Sequence, residues 1–166
     1  MRKIHAMTLI LGATLAGAAN SATTGTSFAV TETVLSTCSA TATTLAFSPY
    51  TPGGGVITNS STISVKCTKN TPFTVALNGG TTTGGTIAQR LLAQGANTLQ
   101  YNLFTSAALT QVFGDGSGTS KTVPGTGAGV ATSTTVTVFG QVPDNATNQA
   151  AVAGNYTDTI TVTVTY

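Results

Sequence analysis

Charge is what this chain has least of. Six Lys/Arg and four Asp/Glu occur in 166 residues, beside a single histidine and two cysteines. Arg2, Lys3 and His5 all lie ahead of an apolar run at the N-terminus. Beyond them, four basic residues (Lys66, Lys69, Arg90, Lys121) face four acidic ones (Glu32, Asp115, Asp144, Asp158), so the formal +2 belongs to the N-terminal segment. With no basic patch, binding to nucleic acid has no electrostatic footprint. A near-neutral surface favours association over mutual repulsion.

The missing histidines exclude more. Serine and cysteine nucleophiles are usually activated by a histidine base, and none follows His5. Lys66 and Lys69 could act as bases, but they flank Cys67 at the end of an alternating segment and read as solvated. The four acids are scattered and form no close pair for glycoside hydrolysis. Two cysteines without histidine cannot complete a metal site. Asp115 in Gly114-Asp-Gly-Ser-Gly118 lacks the further carboxylates of a calcium loop and reads as a turn. The glycines at 125, 127 and 129 do not lead from a strand into a helix, so no phosphate cradle is formed. No enzyme, cofactor or metal is expected.

Long apolar runs are also lacking. The stretch Ala6–Ala16 is too short to span a bilayer. Preceded by a basic segment and followed by small residues to Ala22, it reads as a secretory signal peptide over residues 1–21, with cleavage between about Ala18 and Ala22. The mature chain is expected to be exported, with no membrane insertion after cleavage. Its roughly 145 residues fit one domain.

What the chain does have is alternation. Phe28, Val30 and Val34 alternate ahead of Cys38, and Leu45 and Phe47 precede a turn-rich segment at 48–55. Ile63, Val65 and Cys67 share a face, as do Phe73, Val75 and Leu77, then Leu99, Tyr101 and Leu103, then Val136 and Val138. Period-2 patterns of β-branched and aromatic residues mark strands. Asn78-Gly79-Gly80 marks a turn, and 114–118 and 123–129 read as flexible connections. A short helical turn around Ile87–Leu92 is conceivable, and no segment shows sustained helical periodicity. Uneven spacing and unequal loops favour a Greek-key β-sandwich over a closed barrel.

Two features sharpen this. Cys38 and Cys67 are an even pair in an exported chain and read as a disulfide, whose loop of about 30 residues contributes on the order of 3.5 kcal/mol. The last residues, Tyr156–Tyr166, alternate Ile160, Val162, Val164 and Tyr166 with threonines. A strand this regular is expected to lie within a sheet, because an exposed apolar edge recruits another chain. The segment 27–34 alternates equally well, and by pattern alone it reads either as a first core strand or as something else.

The ordered set Phe28-x-Val30-x-x-x-Val34-x-x-x-Cys38, Leu45-x-Phe47, Ile63-x-Val65-x-Cys67-Thr68, Phe73–Gly80, Leu99–Phe104, Val138–Pro143 and Ala153–Tyr166 resembles the spore coat protein U-like domain, the subunit type of archaic chaperone–usher pili. The two-cysteine spacing and the Gly154-x-Tyr156-x-Asp158 ending are its most specific parts. The resemblance covers the whole mature chain. It implies an all-β, incomplete immunoglobulin-like Greek-key sandwich that lacks its last strand and is completed by a donor strand. It implies a signal peptide over 1–21, a donor segment over 22–37 and a pilin domain over 38–166. Phe28, Val30, Glu32 and Val34 would form the donor strand, placed in the groove of a neighbouring subunit. Tyr156, Ile160, Val162, Val164 and Tyr166 would border that groove. The implied partners are a periplasmic chaperone, an outer-membrane usher and neighbouring pilin subunits. The product is a cell-surface pilus supporting adhesion and biofilm formation. Glu32 departs from the pattern, as it shares a face with Phe28 and Val30 where an apolar residue belongs. A tip adhesin or coat component with the same domain is the alternative. A self-complemented, secreted carbohydrate-binding sandwich is a reading of a different class.

Overall fold

Alternation governs the architecture. The computed structural model describes residues 20–166; the expected signal peptide lies almost wholly outside them. Eight strands form: β1 (Cys38–Ala42), β2 (Ile57–Cys67), β3 (Pro72–Leu77), β4 (Arg90–Gln94), β5 (Asn97–Phe104), β6 (Val123–Thr126), β7 (Thr134–Val142) and β8 (Val162–Thr165). One helical turn, α1 (Ala146–Gln149), precedes β8, and the Asn145 side chain caps it by accepting from the Asn148 amide. The strands make a five-stranded sheet ordered β1-β2-β7-β5-β4 and a three-stranded sheet ordered β6-β3-β8, with every named pairing antiparallel.

The inward faces of the two sheets share one core. Ile63, Val65 and Cys67 from β2, Leu99, Tyr101 and Leu103 from β5, and Val136, Val138 and Val142 from β7 meet Phe73, Val75 and Leu77 from β3. The residues between them, mostly polar (Ser64, Lys66, Thr74, Gln100, Asn102, Thr137), face outward, as the pleat requires. Burying each large apolar side chain is worth about 1.5–3 kcal/mol, which makes this core the main stabilising element. Cys38 and Cys67 are directly paired across β1 and β2 and are joined as a disulfide.

Three segments differ from expectation. The helical turn around Ile87–Leu92 is replaced by β4, whose Arg90–Gln94 pair with Tyr101–Asn97 of β5. The expected loop at 123–129 begins as strand β6. There Gly125 lies opposite Phe73 and leaves room for its ring, which a Cβ would strike. The terminal alternation yields a strand only at Val162–Thr165, because the chain changes sheets on the way. Thr157 exchanges backbone hydrogen bonds with Ala93 of β4 (2.8 and 3.0 Å), whereas Val162–Thr165 pair with β3.

The chain divides into two units at Thr33/Val34. Residues 34–37 belong with the sandwich because the Thr37 carbonyl accepts from the Thr68 amide (2.9 Å) and the Thr37 amide donates to Thr68 Oγ1 (3.1 Å). Residues 20–33 form no regular secondary structure.

Candidate functional site

β1 ends one sheet and β8 ends the other, and Cα atoms of the two strands approach within 8 Å. Among the described residues, no strand pairs with the outer edge of either. Beyond their point of approach, the chain segments that continue them diverge and enclose a groove.

One wall is the segment 42–52, which leaves β1. Its side chains alternate as a strand's would, and Leu45 and Phe47 turn inward. They rest on β7, where Gly140 makes room: a Cβ there would lie 2.8 Å from Phe47 Cζ and 2.9 Å from Leu45 Cδ1. The opposite wall is the segment 151–162. The floor is core: Ile63, Leu77, Leu92, Tyr101, Leu103 and Val138. Two adjoining cavities of about 330 and 640 Å³ occupy the groove, the first beside Ile160 and Val162, the second beside Tyr156. Asp158 borders both and is their one charged lining residue.

Each wall is held by a carboxylate. Asp158 accepts from Tyr101 Oη (2.7 Å), from the Thr81 and Thr82 amides (2.9 and 3.1 Å) and from both threonine hydroxyls. Gly80, at φ +91°, has no alternative residue here, because a Cβ would collide with the Asp158 carboxylate. Burial opposes ionisation of Asp158, yet these donors outweigh it and hold its carboxyl below the ordinary carboxylate range. Burial and the bond to Asp158 push the Tyr101 phenol up. The other wall is held from outside the cavities by Asp144, which accepts from Tyr50 Oη and from the Gly53 and Gly55 amides (3.1 and 2.8 Å). The Tyr50 bond and those amides depress Asp144, and Tyr50 itself is pushed up to about 12 by desolvation and by its bond to Asp144.

Behind the Asp158 wall lies Arg90, fully buried at 0% exposure. Its Nε and Nη2 donate to the Asn78 carbonyl (3.0 and 2.6 Å), Nη2 also to the Phe113 carbonyl (2.8 Å), and Nη1 to Asn102 Oδ1 (2.7 Å). Asn78 in turn holds the wall: its Oδ1 accepts from the Thr161 amide (2.9 Å) and its amide donates to the Thr161 carbonyl (3.2 Å). Desolvation lowers the Arg90 pKa, with Tyr101, Asp158 and Asp115 opposing that shift.

The residues singled out in the sequence fall as follows. Ile160, Val162 and Val164 are half-buried between exposed threonines and pack on the core, as does Tyr156, whose hydroxyl donates to the Val152 carbonyl (2.8 Å). Tyr166 is exposed and outside both cavities. Phe28, Val30 and Val34 are 80–86% exposed, an unusual state for three large apolar side chains at alternate positions. Glu32 is exposed, and its Oε1 accepts from the neighbouring Thr33 amide (2.9 Å). Arg90, Asn78, Tyr101, Asp144 and the Leu45/Phe47 wall were not marked as site residues by sequence. Leu45-x-Phe47 was visible as an alternation; the partners of the buried polar groups carry no local pattern. Among the described residues, no helix is long and apolar enough to cross a membrane, and no group of three His, Cys, Asp or Glu side chains could hold a metal ion.

Comparison with known proteins bears on the fold and on the family. No curated protein sequence matches the chain. Among solved structures, it is similar to a chain in the crystal structure of the CsuC–CsuE chaperone–tip adhesion subunit pre-assembly complex from archaic chaperone–usher Csu pili of Acinetobacter baumannii. The TM-score is 0.56 at 22% identity, over 81% of this chain and 41% of that one, and the likeness concerns the fold. The chain therefore spans less than half the length of that structural relative. The family model of the Spore Coat Protein U domain matches residues 24–163. The chain belongs to the Spore Coat Protein U domain family.

Proposed function

We propose that the chain is a structural subunit of a chaperone–usher pilus that polymerises by donor-strand exchange. The observation that carries this reading is the groove itself: two unpaired sheet edges above a floor of core side chains, bordered by half-buried Ile160 and Val162. Such an arrangement is a sandwich short of one strand. An added strand would satisfy the edges by main-chain hydrogen bonds and fill the cavities with alternate side chains.

Residues 28–34 of a second copy suit this role. Phe28, Val30 and Val34 are exposed in the present state, and burying them is worth roughly 5–9 kcal/mol at about 1.5–3 kcal/mol each. Each ladder hydrogen bond adds about 1 kcal/mol. Because the donor segment is covalently continuous with its own groove-bearing domain, every joint links one copy head to tail with the next, and a repeat that does not close is a fibre. Before assembly, a periplasmic chaperone lends a strand to the groove, and at an outer-membrane usher the neighbour's segment replaces it. The subunit is exported to the periplasm and then displayed in a surface pilus that supports adhesion and biofilm formation. Residues 1–21 act as the signal peptide, 22–37 as the donor segment and 38–166 as the pilin domain. Either the register shifts at Glu32, or Glu32 emerges at a polar pocket or at the rim of the groove.

Deleting residues 22–34 from the exported chain tests the reading. The truncated subunit is expected to be captured by the chaperone but to add no further subunit beyond itself. Fibres of wild-type length and number from the truncated chain alone would refute donation.

A further inference from the structure

The two carboxylates that hold the groove's walls share one pattern that no motif announces. Each accepts a tyrosine hydroxyl and two backbone amides, and each ties down a different wall: Asp158, within its wall, accepts from Tyr101, Thr81 and Thr82, and Asp144, outside both cavities, accepts from Tyr50, Gly53 and Gly55 where the other wall ends. Both walls are irregular backbone. Segment 43–56 has no ladder partner over most of its length, and 158–161 is the stretch where the chain leaves β4 for β3. Irregular segments at an open groove lack the ladder that would otherwise fix them, and carboxylates receiving several N–H and O–H donors are among the stronger substitutes.

The geometry points to Asp158 and Asp144 as positioning residues that fix the two walls for an incoming strand, Asp158 acting through Tyr101 and the 81–82 backbone and Asp144 through Tyr50 and the 53–55 backbone. This rests on the donor-strand reading and specifies which groups make the groove receptive in advance. Pre-organisation of this kind lowers the ordering cost paid on binding and appears chiefly in the lifetime of the complex. Asp158 is the more informative of the two, because its partners come from both sheets: Tyr101 from β5 of one, Thr81 and Thr82 from the loop after β3 of the other. The charged and titratable groups around it are Tyr101 and, behind it, Arg90 of β4; Asp115 lies further along the same Arg90 field. Around Asp144 the titratable neighbour is Tyr50.

The test uses the exported full-length chain and a fluorescent synthetic peptide of residues 22–37 carrying Glu32→Gln, so that the probe has no carboxylate side chain to titrate. Capture and dissociation are followed from pH 3 to pH 8, alongside the unfolding midpoint of each protein. Wild type is expected to capture the peptide and to release it faster as the pH falls below about 4. Tyr101→Phe and Tyr50→Phe each remove one hydroxyl and keep the ring; each is expected to shorten the complex lifetime at neutral pH by about tenfold, with little change in capture rate. Asp158→Asn is expected to do the same and to flatten the acid limb of the profile. Equal lifetimes and an unchanged acid limb in these variants overturn the positioning role, even if their unfolding midpoints fall, since that pattern is support of the fold alone. If Asp158→Asn does not fold, the two phenylalanine variants decide. Failure of wild type to capture the peptide at any pH overturns the donor-strand reading, and this inference with it.

Discussion

Replacing Arg90 by methionine is the sharpest perturbation of the scaffold beneath the groove. Methionine keeps a long, flexible apolar stem and removes every donor. Of the three groups served by the guanidinium, Asn102 Oδ1 keeps a second donor, the Leu103 amide at 2.8 Å. The Asn78 and Phe113 carbonyls lose theirs in a buried setting. An orphaned buried acceptor costs about 1–3 kcal/mol, so the two together cost about 2–6 kcal/mol. Relief from burying a charge offsets part of this, because replacing a buried ion by an apolar residue of similar volume recovers its desolvation penalty. The net expectation is a loss of about 2–4 kcal/mol. Arg90→Lys should lose nearly as much, as one ammonium cannot reach all three acceptors in the planar geometry that they require. The assay is urea unfolding of the oxidised chain. With a slope of about 1–3 kcal/mol per molar urea, the midpoint should fall by about 0.7–4 M with unchanged slope. Because Asn78 also grips Thr161, the variant should in addition release a captured donor peptide faster than wild type. A midpoint within about 0.3 M of wild type would refute the assignment of Arg90 as the buried tie between β3, β5 and the C-terminal wall.

Two other outcomes follow from the geometry. Gly140→Ala places a methyl against Phe47 Cζ and Leu45 Cδ1, which can yield because they are side-chain ends; the fold should survive with a loss of about 1 kcal/mol, while donor-peptide affinity changes severalfold because the wall has moved. Unchanged affinity would place Leu45 and Phe47 outside the binding surface. Stability should also depend on acid in a defined direction: Asp115, Asp144 and Asp158 all have folded-state values below 3.8, so their contribution is present above about pH 4 and is lost as the pH falls through those lower values. Urea midpoints measured from pH 6 down to pH 2 check this, and a flat profile would contradict it.

The alternating segments made the sheets legible in advance. Ile63/Val65/Cys67, Phe73/Val75/Leu77 and Leu99/Tyr101/Leu103 all face the core as their period-2 spacing requires, and two cysteines in an exported chain were enough to read the disulfide. Legibility failed where structure depends on a distant partner. Arg90-Leu-Leu-Ala-Gln94 suits a helix by composition, yet it is a strand because β5 offers a ladder and Arg90 finds carbonyl acceptors far away in sequence. Val123–Thr126 looks like loop because its glycine exists to admit Phe73, a cross-strand fact. The uniform alternation of 156–166 likewise conceals the change of sheet between Thr157 and Val162, since the pattern of side chains is the same on either sheet. For the groove, the apolar border at Ile160 and Val162 could be read from spacing, whereas Tyr50 meets Asp144 and Tyr101 meets Asp158 across 94 and 57 residues of sequence.

If residues 28–34 of one copy lie in the groove of another, an interchain cross-link will join the two. Two single variants, Val30→Cys and Val162→Cys, are assembled together in mixed fibres and oxidised. Disulfide-linked dimers containing one chain of each variant are expected in fibres and not in chaperone-bound subunits. Absence of that heterodimer across neighbouring cysteine positions from 28 to 34 would refute donation between copies.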